Sequence, residues 1–353
     1  MLRLQRVIGN RRVGRLLDVR AGEGRRALRV GGIARYLAQR YGVEGPWNKG
    51  DPVHEVLTLT AIRDALRQVA SQEGGAKGIL KGVDPSKFPN PTSTKGHNIA
   101  PEKIDKSAQQ FIRGVVWPDD PKGYLFDEAS GTGNYSSGAM WLEEFDADEK
   151  EEPEELTARS HYGDLQFFHA MATRDEEDPK ETKKKMLEWS RFLADVSTGR
   201  IDVSAKLKDI PLTNRLFPSH GDYTVAKVFG YEKGKAKDIQ QRAAGALMHM
   251  VQDSNAAGHT ERGAEGDLQQ FRSYEQQDSH KHGKHDAWAA GKTLADRIKN
   301  TPGAENAIRQ CTDLLVKIDQ GASTDEIVEL LDRKIFKLSE KAKKSAPGEA
   351  YKK

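Results

Sequence analysis

The stretch GALMHMVQDSNAAGHTER, Gly245 to Arg262, sets His249, Asp253 and His259 within eleven residues of otherwise apolar or small side chains. Residues four apart on a helix share a face, so His249 and Asp253 project together while Leu247 and Val251 turn toward a core. An imidazole and a carboxylate at that spacing suit a bidentate metal clamp, and they equally suit an ordinary surface His–Asp contact. His259 follows Asn255-Ala256-Ala257-Gly258, small residues that let the chain turn closely around an ion.

Four more clusters carry comparable chemistry. YEQQDSHKHGKHDAW repeats the four-residue spacing in His282 and Asp286, with His280 and His285 alongside; its composition also fits a metal-scavenging surface tract. PWNKGDPVHE holds Trp47, Asp51, His54 and Glu55, and VVWPDDP holds Asp119 and Asp120 in a Pro-flanked turn. RSHYGDLQFFHAMA supplies His161 and His169. A lone histidine on an apolar helix is ordinarily a satisfied core residue, and His169 fits that pattern. His97 and His220 have no evident partner in their Gly/Pro/Ser surroundings. The clusters fall on separate helices, which is how bundles assemble multi-metal sites in their cores.

The elements that must position these groups read as helices. Asp51 and Pro52 form an N-cap and first helical position for a helix through Ala70, with Val53, Val56, Leu57, Ile62 and Leu66 at helical spacing. Further helical segments are expected from 101 to near Gly114 and over 156–172, 181–199, 238–254, 285–300, 304–319 and 324–345. Residues 74–100 read as a long loop, and 118–155 as an irregular one ending in EEFDADEKEEPEE, nine acids in thirteen residues, a composition that is usually solvated. Phe126, Tyr135, Trp141 and Phe145 lie in this second loop. No segment alternates at period two, so the fold class is all-α. The domain reading is an Arg-rich leader over 1–46, bounded by Gly45-Pro46, a helical domain over 47–340, and a frayed Lys-rich tail over 341–353.

Bulk properties narrow the class. The chain has 353 residues, of which 36% are hydrophobic, enough for one large domain. Its single cysteine, Cys311, excludes a disulfide framework and a cysteine zinc knuckle. Net charge is +3, yet residues 1–40 carry eleven Arg against Asp18 and Glu23, a balance of +9 that leaves the remainder at −6. Strong generic nucleic-acid binding is not implied. No apolar run is long enough to span a bilayer, and the N-terminus lacks the continuous apolar region of a secretory signal.

The order Trp, His, Asp, His, His-x3-Asp, His, His-x3-acid resembles the zinc-dependent phospholipase C and single-strand-nuclease superfamily, from Trp47 to Asp286. Its most specific part is HMVQDSNAAGHTER. The resemblance implies a multi-helix bundle with long irregular loops, two or three Zn2+ ions, and hydrolysis of a phospholipid or other phosphodiester by a metal-activated water. It implies that His249 and Asp253 hold one zinc with His161 and Asp120 (or Asp119), and that Asp253 bridges to a second zinc shared with His54. His259, His282 and Asp286 would hold a third. Asp120 and Glu55 are the carboxylates placed closest to the chemistry. The family also uses an N-terminal Trp as a ligand, and Trp47 is internal, so either the leader is removed before Trp47 or that metal site is altered or missing. LQRVIGNRRVGRLL in turn resembles N-terminal segments of cargo carried by extracellular contractile injection systems. That implies a toxin or effector which is cytoplasmic until it is loaded into a particle and injected. A single-strand nuclease, or a non-catalytic cargo module keeping the fold, are the alternative readings.

Overall fold

A computed structural model describes residues 53–88, 106–123, 156–278, 282 and 288–353. The leader, Trp47, Asp51, His97, the 143–155 acidic run, the four loop aromatics, His280, His285 and Asp286 lie outside the described residues.

The described chain is mostly helical. It comprises α1 (Val53–Ala70), α2 (Gln109–Val116), α3 (Leu156–His161), α4 (Pro179–Ser197), α5 (Pro211–Leu216), α6 (Val225–Val228), α7 (Ala236–Asp253), β1 (Thr260–Arg262), β2 (Leu268–Phe271), α8 (Leu294–Asn300), α9 (Ala304–Asp319) and α10 (Thr324–Leu330). The caps follow the sequence. Asp178 accepts from Lys180 N ahead of Pro179 at the start of α4, and Ser323 closes a capping box with Glu326 at α10.

Several expectations are corrected, among them the helix over 285–300, which begins only at Leu294. The single helix expected over 156–172 is two pieces, α3 and a 3-10 turn at Gln166–His169. The break falls at Gly163-Asp164, where Arg159 holds Asp164 through two 2.8 Å hydrogen bonds. The expected helix over 324–345 ends in a π turn at Leu331–Ile335, and the chain beyond it is extended rather than frayed. Leu338 and Ala346 bridge in parallel to Leu268 and Arg272, Lys352 bridges to Gln277, and Ser345 and Tyr351 are buried. The antiparallel β1–β2 pair, joined through Thr260–Phe271 and Glu261–Gln270, was not read from sequence because strands of three and four residues are too short to show alternation.

α7 is the central helix, buried along nearly its whole length. It meets α2 at a backbone-to-backbone crossing. A methyl group on Gly245 would lie 2.4 Å from Phe111 O, and one on Gly114 would lie 2.1 Å from Arg242 O. Only glycine permits that approach. The crossing brings the end of α2, and hence the Asp119 turn, alongside His249. Beneath it Trp117, Phe168, Trp189 and Phe229 form a ring-packed core, with centroids 4.6 Å apart for Phe168–Trp189 and 5.1 Å for Trp117–Phe229. Trp117 donates Nε1–H to Val228 O at 2.8 Å. Trp117 lies two residues before Asp119 and Phe168 one before His169, so this aromatic packing fixes the approach of both groups. No described helix is long and apolar enough to cross a membrane.

The C-terminal strap is pinned near α4 by Glu177. Its backbone N–H donates to Ser345 Oγ at 2.8 Å and its carbonyl accepts from Ser345 N at 3.0 Å. Its buried carboxylate accepts from Thr182, Thr173 and Lys185. Burial opposes ionisation of Glu177, but these donors outweigh it and hold the carboxyl below its ordinary value.

Replacing Gly245 by Ala forces the α2–α7 crossing apart and lowers stability by on the order of 1–3 kcal/mol, measured by urea unfolding; an unchanged midpoint contradicts the crossing. Because the folded-state pKa of Glu177 is depressed, its contribution is present above the ordinary carboxylate value of 4.5 and is lost as pH falls through the lower folded value. The wild-type urea midpoint therefore declines on acidification more steeply than that of Glu177→Gln, and parallel declines contradict this assignment.

Candidate metal centre

Six groups converge on one buried point from five stretches of chain. α7 delivers His249 and Asp253 from its last turns, α1 delivers His54 from its first, and α3 delivers His161 from its last residue. Asp119 comes from the turn after α2, its N–H and that of Asp120 both donating to Val116 O. His169 ends the 3-10 turn. Asp119, His161, His169, His249 and Asp253 are each at most 1% exposed, and His54 is the member with access to solvent, at 12%.

Three overlapping triads have donor atoms within metal-binding distance: His54–Asp119–His249, Asp119–His161–His169 and His169–His249–Asp253. Asp119 Oδ1 lies 3.6 Å from His161 Nε2 and 3.5 Å from His169 Nδ1. Asp253 Oδ1 lies 3.4 Å from His54 Nε2, and Asp253 Oδ2 lies 2.9 Å from His249 Nε2 and 3.1 Å from His169 Nδ1. A tetrahedral ion with bonds of about 2.0–2.1 Å separates its ligand atoms by about 3.3–3.4 Å, and these spacings bracket that edge.

The tautomers are set by the backbone. His249 Nδ1 lies 2.7 Å from Val115 O, His161 Nδ1 2.7 Å from Thr157 O, and His259 Nδ1 2.8 Å from His169 O. A carbonyl only accepts, so each Nδ1 carries the proton and each Nε2 of the neutral ring keeps a lone pair. This outer bond is the usual support of a metal-bound imidazole. Ala170 makes one of these bonds possible. Its left-handed backbone, φ 51 and ψ 32, is costly for a residue with a side chain. It reverses the chain directly after His169, which gives its imidazole to the cluster and its carbonyl to His259.

The electrostatics match a cation site. In the metal-free protein burial disfavours the charged form of Asp253, but positive charge on protonated His249 and His259, with hydrogen bonds from His169 and His249, holds its carboxyl well below the ordinary value; a bound cation would take the place of those protons. Burial, and then His249, lowers the pKa of His54. Glu55 is pushed up to about 8 by burial, which keeps it a neutral acid beside the cluster in the metal-free protein. An anionic carboxylate among neutral imidazoles is a donor set suited to zinc.

The expected residues sort clearly. His54, His161, His249 and Asp253 come together. His259 sits at the edge, 3.6 Å from Asp253 Oδ2 through Nδ1, with its ring 4.8 Å from that of His282. His282 is buried, and its Nε2 lies 3.1 Å from Tyr274 Oη. Asp120, expected as ligand and catalytic carboxylate, instead lines a separate small cavity with Arg113, Lys122 and Arg242; the aspartate in the cluster is Asp119, because the turn at Val116 sends adjacent side chains different ways. His169 is the member whose apolar surroundings in the sequence point to the core. Both descriptions hold, since it is fully buried and a cluster member. The signal available was a second histidine eight residues from His161, and only the break at Gly163 turns it inward. A narrow cleft of about 40 Å³ reaches the cluster past His54, Leu57, Asp253, Asn255 and Gly303, room for a water.

No protein-family model, curated protein or solved structure is found to match this chain, so the centre is interpreted from its own geometry.

If the cluster holds a metal, Asp119→Asn lowers the metal:protein ratio measured by elemental analysis, whereas Asp120→Asn keeps the wild-type ratio. The reverse ranking would move the ligand to Asp120.

Proposed function

We propose that the protein is a zinc-dependent phosphodiester hydrolase, phospholipase C-like in its chemistry. The observation that carries this reading is the sharing of groups between triads: Asp119, His169 and His249 each belong to two. Each imidazole ligates one ion, but Asp119 and Asp253 can each bridge two, and six clustered donors exceed the four that one tetrahedral ion takes; paired ions about 3.5–4 Å apart are an arrangement that cleaves phosphate esters. Zinc bound there supplies a Lewis acid for the phosphoryl oxygens and brings the pKa of water toward neutrality.

The chain's own residues do the rest. Asp119 and Asp253 supply the negative charge that retains the ions. His161 and His249, held by backbone carbonyls, keep their lone pairs fixed without reorganisation. Glu55, neutral near pH 7 in the absence of metal, adds no further charge.

The lipid-like choice of substrate rests on the sequence resemblance, and the aliphatic part of the cleft lining is compatible with it. The cleft's described lining includes the aliphatic side chains of Val53, Leu57, Pro302, Ala304 and Ala307 and contains no Arg, Lys or aromatic residue. Single-strand binding relies on stacking and cationic side chains, while an aliphatic alcohol portion needs neither. We further propose that the Arg-rich leader is the delivery segment of an injected effector, on the resemblance of its sequence.

The test uses the full chain loaded with zinc and offered phosphatidylcholine vesicles, single-stranded DNA and bis(p-nitrophenyl) phosphate. Choline phosphate is the expected product. His249→Ala and Asp253→Asn should each lower kcat/KM by at least about 100-fold, on the order of 3 kcal/mol of transition-state stabilisation. Nucleotide release would favour the nuclease, and absence of bound metal would leave a non-catalytic module.

A further inference from the structure

The outer bond of His54 differs from those of its neighbours. Its Nδ1 lies 2.7 Å from a side-chain oxygen, Gln252 Oε1, whereas His161, His249 and His259 use main-chain carbonyls. Gln252 is 3% exposed and precedes Asp253 on α7. Its Nε2 donates to Thr58 Oγ1 at 2.9 Å. Thr58 lies one turn after His54 on α1, so the amide spans two residues of one helix face.

We propose that Gln252 is a positioning residue that selects Nε2 of His54 as a metal ligand and so fastens the ion nearest the cleft. This rests on the metal-hydrolase reading above. An amide has a donor end and an acceptor end. With Oε1 toward His54, the ring carries its proton on Nδ1 and presents the Nε2 lone pair toward Asp253 Oδ1, 3.4 Å away. With the amide reversed, Nε2–H of Gln252 would donate to Nδ1, and the ring proton would move to Nε2 and block coordination. In the first arrangement Thr58 Oγ1 accepts from the amide Nε2 and anchors its far end, and reversal would require the hydroxyl to turn donor as well. His54 is also stacked on His249 at 4.5 Å, which fixes the plane of the ring but leaves the choice of tautomer to Gln252. His161, His249 and His259 carry their tautomer in the fold itself, whereas that of His54 depends on one replaceable side chain.

Gln252→Leu keeps the approximate volume and removes the acceptor. Gln252→Glu keeps an acceptor and removes the donor. Two readouts are taken on the full chain: zinc binding by calorimetry with elemental analysis, and the His54 tautomer by 15N NMR of the metal-free protein. Gln252→Leu should weaken the most weakly held zinc by roughly 10–100-fold and mix the His54 tautomers. Gln252→Glu should retain both the Nδ1–H form and near-native affinity. Thr58→Val, which releases the far end of the amide, should show a smaller loss in the same direction and serves where Gln252→Leu does not fold. Unchanged affinity and tautomer in Gln252→Leu would overturn the proposal, as would equal losses in Leu and Glu variants. If the wild type binds no zinc, the hydrolase reading fails, and the metal-free tautomer still decides whether Gln252 orients His54.

Discussion

The rest of the structure depends on an electrostatic conflict at its centre. Asp119 and Asp253 are buried to 1% exposure among imidazoles, three of which around them have ring protons committed outward to backbone carbonyls. Removing carboxylates from water costs several kcal/mol per ion unless a counter-charge meets them. Neutral rings, the form in which imidazoles ligate a metal, do not supply that charge. A divalent cation does, and at the same time it takes up the lone pairs that neutral rings turn inward. Two facts that are unfavourable separately, buried anions and inward-facing nitrogen lone pairs, become favourable together around a metal.

That requirement explains where the groups leave the fold. Asp119, His161, His169 and Asp253 all depart from the last turn of a helical segment or just beyond it. Helix C-termini carry partial negative charge on their carbonyls, so these positions favour a cation before any side chain is counted. They also allow neighbouring residues to diverge, which is how Asp119 enters the cluster while Asp120 faces Arg113 and Arg242. Bringing such ends together requires close helix packing, and the glycine crossing of α2 on α7 supplies it.

Much of this was legible in the sequence where the signal was local. α1, α4, α7 and α9 follow from apolar periodicity, α4 with its Asp178 cap as well, and α9 spans the expected residues 304–319. His249 and Asp253 share a face because of a spacing that any helix enforces. What was not legible depended on turns. The choice between Asp119 and Asp120 is made by one turn at Val116. The role of His169 depends on a helix broken at Gly163 and on the left-handed backbone of Ala170, an alanine that no propensity marks for that conformation. The C-terminal Lys residues suggested a solvated tail because charge sets the average. The seating of that segment is decided by Ser345, Pro347 and Tyr351, all buried between exposed lysines.

The strap matters for the centre as well as for the fold. Gln277 donates to both Gly258 O and Pro347 O, and Asp278 N–H donates to Tyr351 O at 2.7 Å. The segment before His259 and the turn leading to His282 are thus braced by residues near 350, while His54 belongs to the first described helix. A centre whose groups span positions 54 to 282 and lean on the end of the described chain cannot form from any local piece. It is absent from the unfolded ensemble, so a metal that occupies it binds the native state selectively and stabilises it by mass action. Occupancy and folding are then one equilibrium.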